Sequence, residues 1–189
     1  MNFRRKLIRI VVVGVAAAVW LSGVRLFAFA GESMAPAVMP GDHFVGLVGL
    51  WHQRAPRRFD RVILDLPPTS KWADRKIPWM KRVVGLPGEH VRLAGTHLFI
   101  DGRRIDAPCL RTRSTSESRG FEMKLGRDEY CVLGDNLDHT FEDSRSMGPI
   151  NRSLIKGYVA FVIHSSNTAP RISPGLHVHR PFDRHETAG

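Results

Sequence analysis

Cysteine is scarce in this chain: 189 residues hold two, Cys109 and Cys131. Neither belongs to a CxxC pair and no histidine cluster lies beside them, which excludes the common zinc and dithiol redox motifs. In an oxidising compartment the two would form one disulfide; the alternative is one buried thiol and one loop thiol. An HExxH motif or comparable ligand set is also missing, so no metal or other cofactor is expected. Acidic residues are outnumbered 18 to 28 by lysine and arginine, for a formal net charge of +10. No stretch interleaves basic residues with aromatics as a nucleic-acid groove does, so nucleic acid is not expected as a partner. The excess fits attraction to an anionic membrane surface instead. Internal repeats are absent. Apolar content of 43% and charged content of 24% are those of a globular chain, long enough for one domain with a core and one appendage.

What is present begins with an apolar run. Residues 10–21, IVVVGVAAAVWL, carry no charge, and the apolar character resumes over residues 26–30. Residues 8–30 together suffice for a helical membrane span, which takes about 20 residues. Arg25 lies near the far end, where its side chain snorkels to the headgroups. Arg4, Arg5, Lys6 and Arg9 precede the run and no comparable cluster follows it, so the N-terminus is expected in the cytoplasm and the rest outside. The expected organisation is a basic cytoplasmic segment (1–9), a transmembrane anchor (10–30), an exported domain (31–164) and a loosely ordered C-terminal tail (165–189). The competing reading is a cleavable secretory signal ending at Ala28-Phe29-Ala30, an A-x-A site. Both readings export the domain.

Downstream, short runs rich in Val, Ile and Phe, most bounded by Gly, Pro or Asp, read as strands over residues 43–50, 61–66, 81–84, 90–93, 97–100, 129–133 and 158–163. Residues 98–105 read as a hairpin turned by Asp101-Gly102. Residues 111–120, RTRSTSESRG, read as a polar surface loop. The expected fold is mainly β: a single N-terminal transmembrane helix followed by an antiparallel β-barrel-like domain.

Three segments carry candidate chemistry: Gly31-Glu32-Ser33-Met34-Ala35-Pro36; Lys81-Arg82-Val83-Val84-Gly85-Leu86-Pro87-Gly88-Glu89; and Gly134-Asp135-Asn136 followed by Asp143-Ser144-Arg145. Singly, each has a plain explanation as a turn, a solvated lysine or a surface ion pair. Their order and spacing carry the functional reading. A serine hydroxyl needs a base to become a nucleophile. A lysine serves as that base only when neutral, and burial in apolar surroundings lowers its pKa. Trp79-Met80 and Val83-Val84 flank Lys81 with apolar cover, and strand alternation sends Arg82 to the opposite face, toward solvent or a carboxylate.

With these boxes the chain resembles type I signal peptidases, which carry a membrane anchor, a Ser-Met-x-Pro box, a Lys-Arg-x-x-Gly-x-Pro-Gly-Asp/Glu box and a Gly-Asp-Asn…Asp-Ser-Arg box in this order. Pro40-Gly41-Asp42 and residues 58–64 fit as well, and the resemblance covers roughly residues 1–163. It implies a serine endopeptidase with Ser33 as nucleophile and Lys81 as general base. It implies an oxyanion hole that includes the Ser33 N–H, whose second donor would sit at Gly31, a residue without a hydroxyl. Thr140 is the candidate for orienting the lysine, in a segment one residue longer than the family's spacing. Met34 is the candidate lining of the substrate pocket. Asp135, Asn136, Asp143 and Arg145 would support the site, with Asp143 and Arg145 paired; the arginine that often follows Gly-Asp-Asn is Leu137 here.

The resemblance further implies the substrate: exported preproteins, cut after small residues in an A-x-A pattern. The catalytic domain would face outward from a bacterial cytoplasmic membrane, with the bilayer and the signal peptides as partners. Tethering raises the local concentration of substrates whose apolar segments lie in the same bilayer, which favours an uncleaved anchor. Self-cleavage at Ala30 stays open, as does oligomeric state. Two alternatives stand beside this reading: a peptidase of the same fold dedicated to pilin or conjugative substrates, and a noncatalytic membrane-anchored β-domain that binds signal peptides.

Overall fold

A computed structural model describes residues 2–49, 54–75, 77–112, 120–165 and 171–174. Helix α1 (Asn2–Leu21) takes in the basic segment and the first part of the apolar run. The run does not continue as helix. Gly23 adopts φ +73, and a Cβ there would overlap the Val48 carbonyl, so the chain turns and enters strand β1 (Val24–Ala28). The expected anchor over 10–30 is corrected accordingly: its second half is a strand. Among the described residues no helix is long and apolar enough to cross a membrane. The physical reason is length. The uncharged part of α1 is residues 10–21, about 18 Å of helix at ~1.5 Å per residue, against a hydrocarbon core of about 30 Å.

β1 pairs antiparallel with β2 (His43–Val48), Val24 opposite Leu47 and Ala28 opposite His43. Then follow β3 (Arg61–Leu64), β4 (Trp79–Gly85), β5 (His90–Ala94), β6 (His97–Ile100), β7 (Arg103–Ile105), β8 (Phe121–Lys124) and β9 (Glu129–Leu133). The short helix α2 (Ser144–Met147), β10 (Ile150–Asn151), β11 (Ile155–His164) and β12 (Arg171–Pro174) complete the order. Every run read as a strand from sequence is one, with ends moved by a few residues. The hairpin turn forms at Asp101 (φ 49) and Gly102 (φ 79), the positive-φ pair that a tight hairpin requires.

The strands form two antiparallel sheets, one in the order β1-β2-β11-β3-β4-β9-β10 with β12 also on β11, the other β7-β6-β5-β8. Among the described residues the expected barrel closure does not occur, since β1 and β10 end the larger sheet without pairing to each other. Register shifts in β11 and β4 add local twist, so the sheet curls without closing. One core cluster joins the small sheet to β9 through Val84, Val91, Leu93, Leu98 and Leu133. A second, around Val62, Leu64, Tyr130, Ile155 and Tyr158, fills the larger sheet. The third lies under the loop that follows β1: Met34, Val38, Phe44, Ile63, Met80, Val159 and Val162. Cys109 and Cys131 are both free thiols, so the disulfide is not formed. In the tail, residues 171–174 are strand β12, paired with residues 161–164. The rest of the expected tail beyond Ser165, like residues 113–119 of the expected surface loop, lies outside the described residues.

Candidate active site

Ser33 sits in the loop of residues 29–42 between β1 and β2. The neck of that loop is closed by backbone hydrogen bonds from Phe29 N to Asp42 O and from Gly41 N to Phe29 O, both 2.8 Å. The Asp42 carboxylate reinforces the neck. Its Oδ2 accepts from Met39 N at 2.9 Å and lies 2.8 Å from His164 Nδ1, while its Oδ1 accepts from Ser165 N at 2.8 Å. Burial alone would raise the Asp42 pKa; the Met39 and Ser165 amides and His164 outweigh it and hold the carboxyl below its ordinary value. Ala28-Phe29-Ala30 is thus built into a strand end and the loop neck.

Inside the loop, turns from Ala35 N to Glu32 O (3.1 Å) and Val38 N to Met34 O (2.9 Å) shape the backbone around the serine. Met34 and Val38 anchor it in the same buried cluster as Met80. Met80 is followed by Lys81 on β4. Across 48 positions of sequence, Lys81 Nζ lies 3.1 Å from Ser33 Oγ. Lys81 is only 1% exposed, and its Nζ lies 5.3 Å from the centre of the Trp79 ring. Burial pulls the Lys81 ammonium down from 10.5 to about 8, against the Asp143 and Asp135 carboxylates, which favour the charged form. A hydroxyl in hydrogen-bond contact with an amine that loses its proton near 8 has the chemistry to serve as a nucleophile beside a base. Among the described residues no group of histidine, cysteine and acidic side chains is arranged to hold a metal ion.

The pattern matches a known family. A family model described as "Signal peptidase, peptidase S26" matches residues 4–164. The chain belongs to the type I signal peptidase family. Signal peptidase I V of Bacillus subtilis (strain 168) is 31% identical over 145 residues, 69% of this chain and 80% of that protein. Signal peptidase I of Bacillus licheniformis is 26% identical over 145 residues, 72% of this chain and 75% of its own. A crystal structure of a signal peptidase I from Enterococcus faecalis V583 aligns with a TM-score of 0.46 at 27% identity, covering 56% of this chain and 97% of that one. The protein is a serine endopeptidase of this family.

The wall of the peptidase's site comes from the third box. Asn136 N donates to the Ser33 carbonyl at 3.0 Å. A Cβ at Gly134 would overlap both Thr140 Oγ1 and the Ser33 carbonyl oxygen, so glycine is what allows this close approach. Asp135 is fully buried and grips Arg82, Oδ1 to Nε at 2.6 Å and Oδ2 to Nη2 at 2.5 Å. Arg82, on the strand position after Lys81, therefore meets the carboxylate that alternation leaves open to it. Asp143 caps α2 and accepts from Arg145 N and from Arg145 Nε, both at 3.0 Å. Arg145 Nη2 also donates to the carbonyl of Leu137 at 3.0 Å. The expected Asp143–Arg145 pair is present.

Two expected roles change. Met34 has no exposed surface; it is a core residue that locks the loop, and its side chain has no face to offer a substrate. Thr140 Oγ1 donates to the Asn136 carbonyl at 2.6 Å and lies 3.3 Å from the Ser33 carbonyl. It braces the backbone of the serine turn, where orientation of the lysine was expected. Gly31 is exposed beside the Phe29 ring. Reading by residue type missed Ser144, whose Oγ accepts from Val132 N at 2.9 Å, although it stands in the quoted third box. It also missed the contact of His139 with Glu32, for which neither residue's type gave a signal. Two clefts, about 270 Å³ beside Arg92 and Phe121 and about 170 Å³ beside His97 and Arg104, lie on the small sheet and include neither Ser33 nor Lys81.

Proposed function

We propose that this chain is a signal peptidase I that hydrolyses signal peptides from exported preproteins after small residues in an A-x-A pattern. Ser33 is the nucleophile and Lys81 the general base. The observation that carries this reading is the 3.1 Å approach of Lys81 Nζ to Ser33 Oγ, made by an amine buried enough to lose its proton near pH 8.

Neutral Lys81 accepts the Ser33 proton as Oγ attacks the scissile carbonyl carbon. The negative charge passes to the carbonyl oxygen, and the Ser33 N–H is one fixed donor for it. The resulting ammonium returns its proton to the departing amine, which releases the mature chain and leaves the signal peptide as an acyl-enzyme ester on Ser33. A water then gives its proton to Lys81 and attacks the ester. Serine regains its proton and the signal peptide leaves with a free carboxylate. The Asn136 N–H holds the Ser33 carbonyl, the Thr140 hydroxyl holds the Asn136 carbonyl, and the Asp143–Arg145 pair steadies the wall behind them.

Helix α1 holds the enzyme at a bacterial cytoplasmic membrane, with the β-domain on the outer face. Leu7, Ile8, Ile10, Val11, Val12, Val13 and Val15 are all exposed. Apolar side chains on every face suit a lipid environment, and Arg4, Arg5, Lys6 and Arg9 suit the headgroups at its start.

The test is cleavage of a preprotein in detergent by the wild type, Ser33→Ala and Lys81→Ala, each with and without a chelator. Both variants should fall to background and the chelator should change nothing. Full processing by Ser33→Ala would sink the mechanism and favour a binding role.

A further inference from the structure

Residues 137–142 form a strap that runs from Asn136 to α2. Arg145 Nη2 holds the strap from beneath through the Leu137 carbonyl at 3.0 Å and the Thr140 carbonyl at 3.4 Å. Thr112 Oγ1 holds it from one flank, donating to Asp138 Oδ1 at 2.6 Å. Its third attachment runs directly to the loop that bears the serine: His139 Nδ1 lies 3.1 Å from Glu32 Oε2.

Glu32 immediately precedes Ser33, and its carbonyl accepts from Ala35 N at 3.1 Å, closing the turn that presents the hydroxyl. On the far side of the serine its own carbonyl is held by Asn136 N at 3.0 Å, with Thr140 Oγ1 at 3.3 Å. The serine is therefore gripped from both directions by one short stretch of chain, and the Glu32–His139 contact is the grip on its N-terminal side. We propose that Glu32 and His139 are a positioning pair for the nucleophile: their contact seats the strap on the serine turn and keeps Ser33 Oγ within reach of Lys81 Nζ. This rests on the reading of Ser33 and Lys81 as the reacting pair.

Both partners are largely exposed, His139 by 49% and Glu32 by 61%. An exposed pair adds little to global stability, so its effect belongs in the rate. A small displacement of a reacting atom costs far more in turnover than in binding or folding. The role is distinct from substrate contact, which would appear in KM.

The experiment uses the full-length enzyme in detergent cleaving one preprotein, with kcat and KM measured separately and urea midpoints recorded. Glu32→Ala and His139→Ala should each lower kcat by roughly three- to tenfold with KM and urea midpoint unchanged. The double variant should be no slower than the slower single one, and the exchange Glu32→His with His139→Glu should recover kcat to within about twofold of wild type. Unchanged kcat in both single variants overturns the proposal. So does a rise in KM alone, which would make Glu32 a substrate contact, or a double variant whose loss is the product of the single losses. Processing retained by Ser33→Ala would instead overturn the dyad, and that arm is run in parallel.

Discussion

Met34 and Met80 belong to one buried cluster, and each is the chain neighbour of a residue of the proposed dyad, Ser33 on one side and Lys81 on the other. Packing of these two side chains is how a loop and a strand distant in sequence bring a hydroxyl and an amine together. The cluster thus sets the distance between the two groups of the proposed dyad.

Truncating either methionine should therefore cost both stability and rate. Met34→Ala and Met80→Ala are each expected to destabilise the fold by about 2–5 kcal/mol, the usual loss for deleting a buried apolar side chain. Met→Leu at the same positions should cost under ~1.5 kcal/mol. Urea denaturation measures the first quantity, and preprotein cleavage well below the unfolding midpoint measures the second. A Met34→Ala enzyme that is destabilised but turns over at the wild-type rate would detach the cluster from catalysis.

Burial holds Lys81 near 8, and the base acts only when neutral. Activity should rise with pH through about 8 and fall away below it. The same shift weighs against folding. Between about 8 and 10.5 the unfolded chain binds a proton that the native chain does not, so stability rises with pH across that window. Replacing the buried amine, Lys81→Met, should abolish cleavage while raising stability at pH 7 by ~3 kcal/mol, at ~1.4 kcal/mol per pH unit. A pH–rate profile and urea titrations at several pH values check both signs.

The Arg82–Asp135 pair is bidentate and buried. Removing one partner leaves a charge in the interior, so Asp135→Leu or Arg82→Met alone should cost about 3–5 kcal/mol. The double replacement should recover much of that, because no unpaired charge remains. A denaturation double-mutant cycle gives the coupling. An additive double variant would contradict the buried pairing.

Asp42 clasps the neck of the serine loop, and its carboxyl is held below its ordinary value of 3.8. A depressed carboxylate adds stability that is complete above the unfolded value and is lost as pH falls through the folded one. Asp42→Asn should lower stability near pH 7 by roughly 1–3 kcal/mol and flatten the acid limb below about 3.8. Stability against pH for the two proteins shows whether their difference closes in acid.

The strand runs and the Asp101-Gly102 turn were legible because period-two patterning and positive-φ residues are local signals. The barrel closure was not, since closing a sheet depends on how register shifts in β4 and β11 accumulate twist between strands. The length of α1 was misread because composition in residues 24–28 suits either lipid or sheet. Pairing with β2 and the stacking of Phe27 on Phe44 at 5.0 Å settle it as strand. The boxes that hold Ser33 and Lys81 were legible as ordered motifs, and the structure brings their side chains to 3.1 Å. Thr140 Oγ1 stands against the Asn136 and Ser33 carbonyls, partners that residue type does not name, because a hydroxyl states that it will bond without stating to what.

By itself the sequence determined which groups are available for chemistry and in what order: a serine after an apolar run, a lysine between apolar residues, and a Gly-Asp-Asn turn. It determined most strand positions too, since those follow from side-chain alternation within a few residues. Tertiary structure alone decided that the hydroxyl and the amine meet at 3.1 Å, that Asp135 takes Arg82, and that burial pulls the lysine down to about 8. Distance and desolvation are properties of what surrounds a group in space. For Lys81 those surroundings come from chain segments far apart in the sequence.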